Sequence, residues 1–279
     1  MVRSISILAM CITLFISLLL PMILLIFYGM KNQKMGVVSA WFFGAAGFFI
    51  PQMLIRIPIL SFLGSEEWFV SFAEGHYLIY AIILAFTAAL FEVIGRYVVA
   101  KLLMNKSKLG LNYTRAAAAG LGHGGIEAMF LIGITYINNL IYSFMINAGL
   151  MEGIIQQTEA MGADVSSVRT AVDALISTSP YLFAAAGLER ILTMIGHLAM
   201  SLLVCYFVWK KQDVKGILIC LMLHTILDGV SAVLNGLSTP YLGEIISTNT
   251  GYILVYGFLG VMAILFGMII VKIKGAWKE

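Results

Sequence analysis

HYLIYAIILAFTAALFEVIGRYVVAK, residues 76–101, decides the fold. A helix needs about 20 mostly apolar residues to cross a bilayer, and this run supplies them with only Glu92 and Arg96 interrupting. It reads as a membrane span with an ion pair inside it. Working outward, comparable runs lie at 4–28, 37–61, 116–147, 180–209, 216–236 and 250–272. The fold class is therefore all-α, a polytopic membrane bundle of about seven transmembrane helices. Composition agrees: 61% of residues are hydrophobic and 11% charged, against roughly 25% charged in a soluble domain. No polar stretch is long enough for a separate soluble domain. The chain reads as one integral membrane domain, 1–279, with a motif-bearing core at 76–236 and peripheral helices at 4–28, 37–61 and 250–272. A net charge of +3 gives no reason to expect a nucleic-acid partner. Cys11, Cys205 and Cys220 sit in apolar runs without CxxC spacing, so they read as core or lipid-facing residues rather than disulfides or zinc ligands.

The first run exceeds the apolar stretch of a signal peptide and is followed by no clear small-residue cleavage site, so it reads as a retained helix. The connecting loops alternate in charge. Lys31 and Lys34 follow the first span, and Glu66, Glu67 and Glu74 the second. Lys101, Lys106, Lys108 and Arg115 follow the third. Glu152, Glu159, Asp164 and Asp173, with one Arg169, follow the fourth. Lys210, Lys211 and Lys215 follow the fifth, Glu244 the sixth, and the tail carries Lys272, Lys274 and Lys278. Basic loops stay cytoplasmic, so every loop points to an outer N-terminus and a cytoplasmic C-terminus. Within the long loop 150–179, Val165, Val168, Val172, Leu175 and Ile176 fall at helical spacing behind Asp164, a candidate N-cap. This predicts a short amphipathic helix on the membrane surface, either a connector or a lid. Pro51 and Pro58 flank Arg56 and predict a kinked or broken second span. Arg56 reads as a snorkelling residue near the outer end and receives no chemistry.

An ionisable group at the bilayer centre costs roughly 2.5–3.5 kcal/mol on insertion scales, and this chain places many there. Glu92 and Arg96 lie on the third span, His123 and Glu127 on the fourth, Glu189, Arg190 and His197 on the fifth, and His224 and Asp228 on the sixth. Glu92/Arg96, His123/Glu127 and His224/Asp228 are each spaced four apart, so each pair shares a helix face. At about 1.5 Å rise per residue, the motif residues of four consecutive helices fall within a turn or two of a common plane, displaced toward the cytoplasm. Glu189 and Arg190 lie further out, in supporting positions. The small residues Ala116 to Gly125 around His123 permit close helix approach, the preferred reading, or leave room for substrate or water.

Hydrolysis needs a water, a base and donors for the developing oxyanion. Glu127 and Glu92 are candidate bases. Asp228 can set the tautomer of His224, with Arg96 and His197 completing a catalytic set. No metal is favoured, because HExxH is absent. Zinc is the competing cofactor, held in that case by His123, Glu127, His197 and His224. A salt-bridged scaffold that binds partner helices is the reading from another class. A transporter fits less well, since no inverted repeat is visible.

FEVIGRY (91–97), GLGHGGIEA (120–128), ERILTMIGH (189–197) and HTILDG (224–229) together resemble the YhfC family of intramembrane peptidases. More distantly they resemble the PrsW-like and type II CAAX prenyl endopeptidase superfamily of glutamate-type intramembrane proteases. The resemblance covers roughly 85–232. It implies that Glu92 matches the glutamate motif with Arg96 as its basic partner, that Glu127 matches the second motif, and that His224 and Asp228 form an oxyanion-stabilising pair. Phe91 stands where the family has an adjacent glutamate, and His123 stands where a Phe is usual. The expected function is hydrolysis of a membrane-embedded or membrane-proximal peptide bond by glutamate- and histidine-activated water. The expected partners are the lipid bilayer and a membrane peptide or protein substrate, and the expected location is a bacterial-type plasma membrane.

Overall fold

Inside a bilayer the backbone must satisfy its own hydrogen bonds, so apolar runs of this length emerge as helices. The computed structural model describes residues 1–105 and 109–277; Lys106, Lys108 and Lys278, used in the charge reading of the loops, lie outside them. Among the described residues, seven helices are long and apolar enough to cross a membrane. They are α1 (Ser4–Lys31), α2 (Val37–Leu63), α4 (Tyr77–Asn105), α5 (Tyr113–Asn147), α8 (Pro180–Trp209), α9 (Asp213–Gly236) and α10 (Thr248–Ala276). Each matches one expected span: α8 coincides with it, α4 starts one residue later and ends four later, and the others extend it by up to about a turn at either end. Between them lie α3 (Glu67–Gly75), α6 (Leu150–Ala160) and α7 (Ser166–Ser177). Large apolar side chains such as Ile253, Val261, Ile264 and Val271 of α10 are exposed, as a lipid-facing surface requires.

Three π-helical stretches interrupt the spans, at Phe15–Leu19, Phe49–Arg56 and Ala128–Gly133. The first ends just before Pro21 and the second contains Pro51. Proline lacks the N–H that an α-helix needs, so the ladder locally widens instead of breaking. The break expected in the second span is thus a π-bulge inside a continuous helix.

The chain forms two compact units, and α1, α5 and α8 each contribute residues to both. The first unit comprises Met1–Met22 and Ala128–Ile191. Its core is built on Met10, Tyr136, Leu140, Leu175 and Phe183. The carbonyl of Phe183, in the first turn of α8, accepts from Thr13 Oγ1 at 2.6 Å and from the Tyr136 hydroxyl at 3.1 Å. A smaller core of Met151, Ile155 and Val165 holds α6 and α7. The expected amphipathic helix is α7, with a shift at its start. Val165 occupies the cap position, and Asp164 accepts from the Ser166 backbone N–H (2.8 Å) and hydroxyl (3.0 Å) one residue earlier than expected. These two donors pull the Asp164 carboxyl below its ordinary value.

The second unit comprises Ile23–Glu127 and Leu192–Glu279. Here α2 lies against the first half of α5 at backbone contact. A Cβ on Gly122 would overlap the backbone of Trp41, and one on Gly44 would overlap that of Ala119. On the same helix a Cβ on Gly124 would fall 2.9 Å from the Cβ of His197. The small residues of α5 therefore serve close packing, the preferred sequence reading. α4 packs against α2 and α9, and α10 against α9.

Candidate functional site

The polar cluster is built around one carboxylate of the second unit. Glu92 sits near the middle of α4 and is buried, as are Arg96, His123, Glu127, His197 and His224. Its Oε1 accepts from the Gln52 side-chain amide at 2.7 Å. Its Oε2 accepts from Arg96 Nη2 at 3.0 Å and lies 3.1 Å from His123 Nε2, 3.6 Å from His197 Nδ1 and 3.7 Å from His224 Nδ1. Three imidazoles, from α5, α8 and α9, thus present a ring nitrogen to a single oxygen. Gly124 allows the imidazole of His197 this close to α5. Phe48 closes the far side of His123, with ring centroids 5.4 Å apart.

The protonation pattern follows from the donors. A guanidinium only donates, and Arg96 Nη2 lies 2.7 Å from His197 Nδ1. That nitrogen is therefore an acceptor, and His197 Nε2 lies 2.7 Å from Glu127 Oε2. His224 Nε2 lies 3.2 Å from Asp228 Oδ2. His224 Nδ1 faces inward and has no hydrogen-bond partner among the described residues. Asp228 itself is half-buried at the edge of the cluster.

Of the sequence candidates, Glu92, Arg96, His123, Glu127, His197, His224 and Asp228 all come together. Glu92/Arg96 and His224/Asp228 pair along their own helices. His123 and Glu127 share a helix face but engage different partners, His123 going to Glu92 and Glu127 to His197. Glu189 and Arg190 belong to the first unit and pair with each other. Gln52 is a residue that sequence reasoning passed over. Its signal was the single carboxamide of the second span, beside Pro51.

Imidazole nitrogens gathered around one carboxylate oxygen can exchange these hydrogen bonds for a bound cation. Glu92, His123 and His197 each offer a ligand atom, all within 4.8 Å of one another. Bonds of about 2.0–2.1 Å in a tetrahedral zinc site place neighbouring ligand atoms roughly 3.4 Å apart. The separations of 3.1–3.7 Å between the imidazole nitrogens and Glu92 Oε2 bracket that value. The donors therefore fit a metal of the zinc class. The carboxylate of the group is Glu92, whereas the spacing of HxxxE on α5 pointed to Glu127.

No solved structure matches this chain. A Bacillus subtilis (strain 168) protein described as "Uncharacterized membrane protein YhfC" is 28% identical over 220 residues, covering 78% of this chain and 81% of that protein. A family model described as "YhfC intramembrane metalloprotease" matches residues 16–246, which take in α2, α4, α5, α8 and α9 and every member of the cluster. Seven apolar helices, a buried Glu/His group able to hold a metal and this match place the chain in the YhfC intramembrane metalloprotease family.

Proposed function

We propose that the protein is a metal-dependent intramembrane peptidase that hydrolyses a membrane-embedded or membrane-proximal peptide bond at the Glu92 cluster. The observation that carries this reading is the convergence of three imidazoles on one buried carboxylate oxygen. The family description supports the metallopeptidase class. Glu92, His123 and His197 would hold the ion, with His224 Nδ1 as a further donor, and zinc suits this donor set. Such an ion supplies a Lewis acid that polarises a carbonyl and brings the pKa of bound water to about 7.

The chain's own groups handle the protons. Glu127, joined to His197 Nε2 at its Oε2, is the base that receives the proton of the attacking water and returns it to the leaving amine. Asp228 holds His224 Nε2–H, which keeps Nδ1 unprotonated. Gln52 fixes the rotation of the Glu92 carboxylate through Oε1, leaving Oε2 directed at the imidazoles. Arg96 holds the negative charge of Glu92 in place and orients His197. Burial of these groups excludes bulk water.

A metal-free reading has one observation in its favour. Arg96 already supplies a cation between Glu92 Oε2 and His197 Nδ1. In that case the Glu127/His197 pair activates water unaided. Reconstituted protein, with quenched-fluorescence apolar peptides and mass spectrometry of the products, tests the peptidase reading. Glu127→Gln and His224→Ala should lose cleavage while remaining folded. Retention of full cleavage in both would sink the assignment. The basic loops support an orientation in which α9 enters from the cytoplasmic side of a bacterial-type plasma membrane.

A further inference from the structure

Among the described residues Arg56 has no carboxylate within ion-pair distance, although Glu92 and Asp228 act on it from further off. It closes the π-helical stretch of α2 and is half-buried. Nη2 donates to the carbonyl of Leu84 at 2.8 Å, Nε to Thr87 Oγ1 at 3.3 Å and Nη1 to Gln52 Oε1 at 3.4 Å. All three partners are neutral, and a guanidinium has five N–H groups. A residue that merely snorkelled would end in water or headgroups; this one is clamped by backbone and side chains.

The space beside it is a cavity of about 310 Å³, lined by Arg56, Tyr77, Tyr80, Ala85, Ala88 and Asp228 among others. It reaches along α4 from the first turn to Ala88, one turn short of Glu92, and on α9 it ends at Asp228, one turn from His224. A second cavity of about 150 Å³ shares Arg56 and Tyr80 and is walled by Phe69, Phe72 and Phe91. The two thus join an apolar compartment, a guanidinium hydrogen-bonded only to neutral groups and the edge of the Glu92 cluster. Gln52 links them further, accepting from Arg56 and donating to Glu92.

We infer that this cavity seats the substrate and that Arg56 is its specificity residue, binding a carboxylate of an apolar peptide. The inference rests on the peptidase reading for what happens to that peptide afterwards. A cation at membrane depth with no carboxylate in direct contact is costly, and an incoming carboxylate offsets that cost while matching the planar fork of the guanidinium. Asp228, on the same wall, repels a second carboxylate from the end nearest His224. The anion is therefore steered to the Arg56 end, and the peptide bond upstream of it lies toward the cluster. The neighbouring aromatic compartment takes an apolar side chain. The carboxylate is either the chain's C-terminus or an acidic side chain.

Binding separates this inference from the chemistry. The probes are fluorescein-labelled Ala-Leu-Phe-Leu with a free C-terminus, its C-terminal amide, and the amide of Ala-Leu-Phe-Asp. Anisotropy is read on full-length Glu127→Gln protein in detergent, which does not depend on turnover. The free acid should bind at least about tenfold tighter than its amide, the range of a charge-assisted hydrogen bond. Arg56→Gln should bring the acid down to the amide's affinity and leave the amide unchanged, with Arg56→Lys between. If the Asp-bearing amide matches the acid, a side chain serves equally; if it matches the plain amide, the C-terminus is required. Equal binding of all three probes, no binding of any, or a preference that survives in folded Arg56→Gln overturns the inference. Wild-type protein that prefers the acid yet cleaves nothing sinks the peptidase reading and leaves Arg56 in place. Cleavage with no acid preference does the reverse.

Discussion

Replacing Glu92 by Gln tests whether one carboxylate organises the cluster. The substitution keeps the shape of the side chain and a carbonyl oxygen for Gln52. It removes the charge that faces Arg96 at 3.0 Å, where both groups are buried. Arg96 then has no anion in direct contact, and its Nε and Nη1 already lack hydrogen-bond partners among the described residues. Breaking a buried pair from one side costs about 3–5 kcal/mol. Much of that is the stranded charge, so Glu92→Gln/Arg96→Gln should be less destabilised than the sum of the single variants, with a coupling of about 1–3 kcal/mol. The assay is equilibrium unfolding of chelator-treated protein in mixed SDS and neutral-detergent micelles, followed through the four tryptophans. A Glu92→Gln loss under about 1 kcal/mol, or strict additivity in the double variant, would refute the reasoning, since Arg96 would then be compensated elsewhere.

Glu127→Gln should abolish peptide cleavage and leave metal content unchanged, because Glu127 stands beside His197 Nε2 and outside the Glu92, His123 and His197 group that could hold an ion; loss of metal in this variant would move Glu127 into the ligand set. Gln52→Leu should lower metal affinity about 10- to 100-fold, the usual effect of losing a partner that orients a ligand. A competition titration against a chelator reads this, and unchanged affinity would remove Gln52 from the site. Gly122→Val should give no folded protein, since its side chain meets the backbone of Trp41, while Gly260→Val on α10, with nothing within 4 Å, should accumulate normally. Size-exclusion profiles of the two decide the point.

The spans were legible because a run of about 20 apolar residues has few other uses. The helices between them were not all legible. α3 and α6 are short, and their apolar residues do not stand out within loops. α7 was read from its valines, but its cap was misplaced by one residue because Asp164 reaches past Val165 to Ser166. Within the site, spacing along one helix revealed Glu92 with Arg96 and His224 with Asp228. It misled for His123 and Glu127, because a shared face does not specify which neighbouring helix each side chain meets. The convergence on Glu92 Oε2 depends on α4, α5, α8 and α9 coming together, and no single-helix periodicity encodes that. Gln52 and Arg56 were hidden for another reason. Beside two prolines that predict a kink or a break, Gln52 drew no reading and Arg56 read as snorkelling, whereas the π-bulge keeps α2 continuous and turns both toward α4.

Metal content of purified full-length protein, measured by elemental analysis after removal of loosely bound ions, tests the central claim most directly. The account predicts about one equivalent of a divalent ion, lost in His123→Ala/His197→Ala and retained in His76→Ala, which alters the fourth histidine. Wild-type protein that cleaves peptide with no stoichiometric metal would contradict it and leave Glu127 and His197 to activate water without an ion.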